Sequence, residues 1–112
     1  MRLTSTKTGK ARIVTVNAER IDAAMAIQFK EDMRVETEEG PDHVILDLSS
    51  VAFIDSSGLG AIVAAMKQLD DHRRLDLAGL TPMVEKVFRL TRMDTVFKLF
   101  GTLDEAKAAI SG

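Results

Sequence analysis

Hydrophobic and polar positions change period several times along this chain, and each change marks an element. Leu3 to Thr8 alternates weakly, and Arg12 to Val16 sets Ile13, Val14 and Val16 in a second extended run. Thr8-Gly9-Lys10 lies between them as a turn, so the two runs read as an antiparallel hairpin with the first strand at a sheet edge. From Asp22 to about Glu38 the spacing becomes helical, with Met25, Phe29 and Met33 at i, i+4 and i+8 and Asp22 as N-cap. Gly40-Pro41 stops that helix. Val44-Ile45-Leu46-Asp47-Leu48 is almost continuously apolar, the mark of a parallel strand covered on both faces.

The second half repeats the alternation of helix and strand. Ser56 to Leu69 places Leu59, Ile62, Val63, Met66 and Leu69 along one helical stripe. Arg74 to Ala78 reads as a strand. Thr81-Pro82 supplies a cap and a proline at the first helical position, and Val84, Val87, Phe88 and Thr91 form the stripe to be buried. Val96 to Phe100 is expected as a short last strand, and Leu103 to Ile110 as a final helix beginning near Thr102. The order β-β-α-β-α-β-α-β-α predicts an α/β fold whose mixed sheet opens with a hairpin and continues in parallel, with four packed helices.

Composition narrows the function. A length of 112 residues with 46% apolar and 29% charged residues suits a single domain spanning 1–112. Cysteine is absent, which excludes disulfides, thiolate metal sites and cysteine nucleophiles and fits a reducing compartment. Met1 to Arg12 has no apolar signal core, and no run approaches the roughly 20 apolar residues of a membrane helix. A cytoplasmic protein is expected. The net charge of −2, without Trp or Tyr, argues against direct nucleic-acid binding.

The chemistry concentrates in Asp47 to Gly60, between the buried strand and the amphipathic helix. Ser56 or Ser57 falls at the helix N-terminus, where free backbone N–H groups and the positive end of the dipole accommodate an anion such as phosphate. Gly58 and Gly60 keep the first turn free of bulk, so that a protein partner can approach the hydroxyl. Position alone leaves two readings of Ser56 open, a helix cap or a modified residue. Asp55 either orients the Ser56 hydroxyl or caps the helix itself, and Ser57 is expected to return its hydroxyl to the backbone.

Enzymatic constellations are missing from the sequence. Neither serine sits in G-x-S-x-G, and His43 and His72 read as surface residues beside turns. Gly58-x-Gly60 lacks the third glycine of a dinucleotide fingerprint, and no metal-ligand spacing occurs. No cofactor is expected. Lys86, Arg89 and Arg92, and likewise Glu36, Glu38 and Glu39, read as solvated helix faces.

Ile54-Asp55-Ser56-Ser57-Gly58-Leu59-Gly60 resembles the D-S-S/T-G-L-G signature of STAS-domain anti-sigma factor antagonists. Glu19-Arg20-Ile21-Asp22-Ala23-Ala24 is similar to the family's stretch before its first helix, and Leu80 to Phe100 to its helix ending in L-T-x-M/L-D. The likeness spans roughly residues 11 to 110, and the family has the same element order. It implies phosphorylation at Ser56, with Asp22, Asp55, Ser57, Gly58, Leu59 and Gly60 around the phosphosite and the partner interface. It further implies an anti-sigma factor with serine kinase activity as partner, a phosphatase that reverses the modification, and no catalysis by the chain itself. A monomer or a weak edge-to-edge dimer is the expected state. The alternative is a STAS subunit of a stable assembly, either a stressosome-like scaffold or a lipid-transport ATP-binding cassette complex. Two positions depart from the family pattern: Glu19 stands where glycine is usual, and Met25 replaces a small or polar residue, either of which would alter the surface around Asp22.

Overall fold

In the computed structural model, which describes residues 3–38 and 40–111, β1 (Leu3–Thr8) and β2 (Ala11–Val16) form the expected hairpin. Gly9 makes the turn at φ 55°, a left-handed conformation natural to glycine. Beside β2 run the parallel strands β4 (His43–Asp47), β6 (Arg74–Ala78) and the two-residue β7 (Leu99–Phe100), giving the order β1-β2-β4-β6-β7. The remaining strands, β3 (Arg20–Ile21) and β5 (Phe53–Ile54), pair in parallel as a separate ribbon.

The continuous apolar run in β4 has the predicted cause. Val44 and Leu46 face one core with Val14, Val16, Leu75 and Leu77, while Ile45 faces a second with Ile13 and Ala78. Helices α1 (Ala26–Glu36), α2 (Ser56–Gln68) and α3 (Pro82–Leu90) contribute to the larger core. The smaller core is closed by α4 (Leu103–Ser111) through Leu103, Ala106 and Ile110. Each side chain fully buried in these layers contributes about 1.5–3 kcal/mol of transfer free energy, so covering both faces of β4 locks its register.

Several expectations change in detail. The stripe Met25, Phe29 and Met33 is buried, but α1 starts at Ala26, four residues beyond Asp22. It ends at Glu36, where Thr37 donates its hydroxyl to the Met33 carbonyl and Arg73 donates to the carbonyls of Thr37 and Pro41. Within α2 the most buried line runs through Gly58, Ala61, Ile62 and Ala65, with Leu59, Val63, Met66 and Leu69 flanking it half-buried. Small residues let α2 lie close to α1 and to the β3–β5 ribbon, so the large ones spread to its sides.

Thr91 is exposed, because its hydroxyl satisfies the Val87 carbonyl at the end of α3. Of the expected strand Val96 to Phe100, only β7 is extended. A 3-10 turn at Met93–Thr95 follows the left-handed Arg92 and delivers Phe97 edge-on to Phe88, with ring centroids 6.0 Å apart. His43 is half-buried rather than a surface residue, and its Nε2 lies 3.1 Å from the buried carboxylate of Asp76. Glu36 is also half-buried, accepting a hydrogen bond from Ser5, whereas Glu38 is exposed and Glu39 lies outside the described residues.

Thr81 precedes α3 as predicted but does not cap it with its side chain. Its hydroxyl donates instead to the carbonyl of the fully buried Val51, at 2.7 Å. Thr81→Val leaves that carbonyl unpaired, and a loss of about 1–2 kcal/mol is expected. Chemical denaturation with an unchanged m-value checks this.

Candidate functional site

The segment after β4 is held by a succession of short-range bonds. Asp47 accepts from the Ser49 amide, and the Val51 amide returns to the Leu48 carbonyl. The amides of Ala52 and Phe53 then both donate to the Glu19 carbonyl. Pairing of β3 with β5 sets Ile21 beside Ile54, so Asp22 and Asp55 leave the ribbon side by side. Ser56 follows at the first turn of α2. It lies at the carboxyl end of the parallel strands, where open α/β sheets characteristically place their sites.

Asp55 is the helix cap. Its Oδ1 accepts from the Gly58 amide at 2.8 Å, and its carbonyl accepts from Leu59 at 2.9 Å. Its Oδ2 accepts from the Ala23 amide at 3.1 Å, which ties the turn before α1 to the start of α2. The reading of Ser56 as the cap is therefore replaced. Ser56 is exposed, its hydroxyl makes no side-chain hydrogen bond with the described residues, and the Ser56 and Ser57 amides are likewise without acceptors among them. Ser57 is also exposed, and its hydroxyl makes no hydrogen bond with the described residues, so it does not return to the backbone as expected.

Asp22 is not a helix cap. Its Oδ1 accepts from the Ala24 amide at 3.1 Å and its carbonyl accepts from Met25, closing a turn ahead of α1. Its Oδ2 meets Arg20 Nε at 3.2 Å, and the Arg20 guanidinium stacks 4.6 Å from the Phe53 ring centroid. Arg20 and Phe53 were not singled out by sequence reasoning, since a two-residue ribbon is too short to show a period. Asn17, Glu19, Arg20 and Asp22, with Ala18, Ala24 and Met25, line a depression of about 430 Å³ beside the turn. Met25, one of the two departures from the family pattern, is buried against the core and also helps line that depression.

The glycines separate into two roles. Gly60 is exposed with open space around it. Gly58 is buried, and a Cβ there would collide with the backbone carbonyl of Ile21. Its smallness serves the contact between α2 and β3, which corrects the expectation that it clears a path for a partner. Leu59 is half-buried against the core and so offers only part of its side chain to the surface.

The STAS domain model matches residues 2–106. The chain belongs to the STAS domain family. It is 31% identical over 83 residues to the anti-sigma-B factor antagonist of Listeria monocytogenes, covering 73% of each chain. With the anti-sigma-F factor antagonist of Mycobacterium tuberculosis it shares 25% identity over 92 residues, covering 82% of this chain and 75% of the relative. An anti-sigma factor antagonist crystal structure from Mycobacterium paratuberculosis superposes with a TM-score of 0.88 at 24% identity, covering 98% of this chain and 93% of that one. This last likeness establishes the fold. Among the described residues of this STAS domain, no helix is long and apolar enough to cross a membrane, and no group of acidic or histidine side chains is placed to hold a metal ion.

Asp55 bridges two elements at once, and its removal tests that geometry. Asp55→Ala leaves the Gly58 and Ala23 amides without acceptors, and a loss of about 1–2 kcal/mol is expected, as for other N-caps. Asp55→Asn retains one acceptor oxygen but turns an NH2 group toward the other amide, so its loss should be smaller. Thermal melts rank the two variants. Hydrogen exchange at the Ala23 amide should quicken most in the alanine variant.

Proposed function

We propose that this STAS domain is an anti-sigma factor antagonist, switched by phosphorylation of Ser56. The observation that carries the reading is the division of labour between Asp55 and Ser56. The aspartate caps the helix, which leaves the serine hydroxyl exposed and unbonded at its positive end. A serine needed as a cap would be committed to the fold. This one is available to a kinase.

In the unphosphorylated state the surface around Asp22, Ser56, Ser57 and Gly60 binds an anti-sigma factor, which releases the sigma factor held by it. The partner is itself a serine kinase and transfers the γ-phosphate of ATP to the Ser56 hydroxyl. The Ser56 oxygen displaces ADP from the γ-phosphorus and its proton passes to a base of the kinase. The product carries a charge of about −1.5 to −2, and the complex dissociates. A phosphatase then hydrolyses the phosphoserine. The chain contributes a substrate and a binding surface, without catalysis or cofactor, and acts in the cytoplasm where sigma factors work.

The names of the relatives support the antagonist class, and the geometry at Ser56 supports the switch. The test is capture from the host by the wild-type chain and by Ser56→Asp, followed by phosphopeptide mapping after incubation of the captured protein with ATP. Capture of a kinase by the wild type alone, with phosphate mapped to Ser56 and absent from Ser56→Ala, is the expected result. Phosphate on Ser57 alone overturns the assignment. Equal capture of transporter or scaffold subunits by both forms replaces it with the stable-assembly reading.

A further inference from the structure

The opposite end of the sheet, where the parallel strands begin, carries a feature with no part in the switch. The β1–β2 turn, the loop leading into β4 and the last turn of α4 enclose a cleft made of two adjoining hollows of about 700 and 280 Å³. Gly9, Lys10 and Ile110 line both. The larger hollow is wide and open to solvent, and the smaller one is more enclosed and more apolar.

The walls of the cleft carry positive charge, and its apolar lining lies mainly in the smaller hollow. Lys7 and Lys10 project from the hairpin, are exposed, and make no ion pair with the described residues. Lys107 lines the smaller hollow from α4. Asp42 is the acidic residue lining the larger hollow among the described residues, and its Oδ1 lies 3.4 Å from Nε2 of His72. The ring of His43 is held by Asp76 and forms part of the wall. Ile110, which lines both hollows, and the buried Ala11, which lines the smaller one, supply the apolar surface. Lysine chains that present charge above an apolar surface suit a ligand divided in the same way.

We propose that this cleft binds a small amphiphilic anion, a carboxylate or phosphate monoester on a body of several carbons. The anionic head meets Lys7 and Lys10, and the apolar body lies on Ile110 and Ala11. The smaller, more enclosed hollow has room for a body of several carbons, and the net charge of −2 disfavours polyanions such as nucleic acid. The site is remote from Ser56, so it stands or falls independently of the phosphorylation switch.

The test is an amide chemical-shift titration of the full chain with octanoate, octyl phosphate, inorganic phosphate and octanol. Saturable shifts at Thr8 to Ala11, at Gly40 to His43 and at the end of α4, with octanoate or octyl phosphate, are expected. The two head groups tell carboxylate from phosphate. Lys7→Gln with Lys10→Gln should weaken binding about tenfold, with the melting temperature little changed because both side chains are exposed. Added salt should weaken it in the unaltered chain as well. Absence of saturable shifts, shifts centred on Ser56, octanol binding as well as octanoate, or inorganic phosphate binding as well as octyl phosphate would each overturn the proposal.

Discussion

Under the proposed switch, Ser56→Asp is expected to weaken binding of the proposed kinase partner about 100-fold or more, a loss of about 3 kcal/mol, while the melting temperature stays within a few degrees of wild type. The asymmetry follows from where the charge lands. Ser56 is exposed at the first turn of α2, where a negative charge meets the positive end of the helix and the unaccepted amides of Ser56 and Ser57. Within the free protein that placement is favourable by about 0.3–1 kcal/mol. In the complex the same charge must shed water against the partner, beside the carboxylate of Asp22. Phosphate carries more charge than aspartate and should act more strongly. Titration calorimetry with the purified partner, together with a thermal melt, checks both halves. A variant that binds as tightly as wild type, or one that loses ten degrees of melting temperature, refutes a switch by interface repulsion.

Gly58→Ala should be the most destabilising small substitution in the motif, costing about 3 kcal/mol. The added methyl meets the Ile21 carbonyl, its carbon at 2.7 Å and the Ile21 Cγ2 at 3.0 Å. The obstacle is backbone held in β3, so no rotamer change relieves it. Relief requires α2 to move off the ribbon, which pulls Asp55 from the Ala23 amide and opens the turn that carries Asp22. Gly60→Ala, two residues on, should do the reverse. With nothing within 4 Å of the new methyl, it gains about 0.5–1 kcal/mol of helix propensity. Melting curves of the two variants therefore move in opposite directions. Equal and small shifts in both would show that α2 does not rest on Ile21.

The site was legible in the sequence to different depths. Ser56 could be located because a buried strand and an amphipathic stripe bracket it, and both periods are long enough to read. The partition of roles between Asp55 and Ser56 was not legible, since both residue types cap helices equally well. Only the position of the Ala23 amide, brought from 32 residues away, gives the Asp55 carboxylate a second donor. Asp22 illustrates the same limit. It looked like the cap of α1 because the apolar spacing begins three residues later, yet Met25 enters the core from a turn, and Asp22 closes that turn.

By itself the sequence determined the order of elements apart from the β3–β5 ribbon, the central place of β4, the α/β class and the helix start that presents Ser56. These follow from local periodicity and from turn residues such as Gly9, whose effect is confined to neighbours in the chain. Tertiary structure decided what depends on distant backbone. It paired Arg20-Ile21 with Phe53-Ile54, made Gly58 a packing residue rather than a clearance for a partner, buried Asp76 against His43, and assigned the cap to Asp55. In the first three cases the deciding atom is a carbonyl or a charged group more than 30 residues away, and no window of neighbouring residues contains it. The Asp55 cap has its first donor three residues on and its second, the Ala23 amide, 32 residues back.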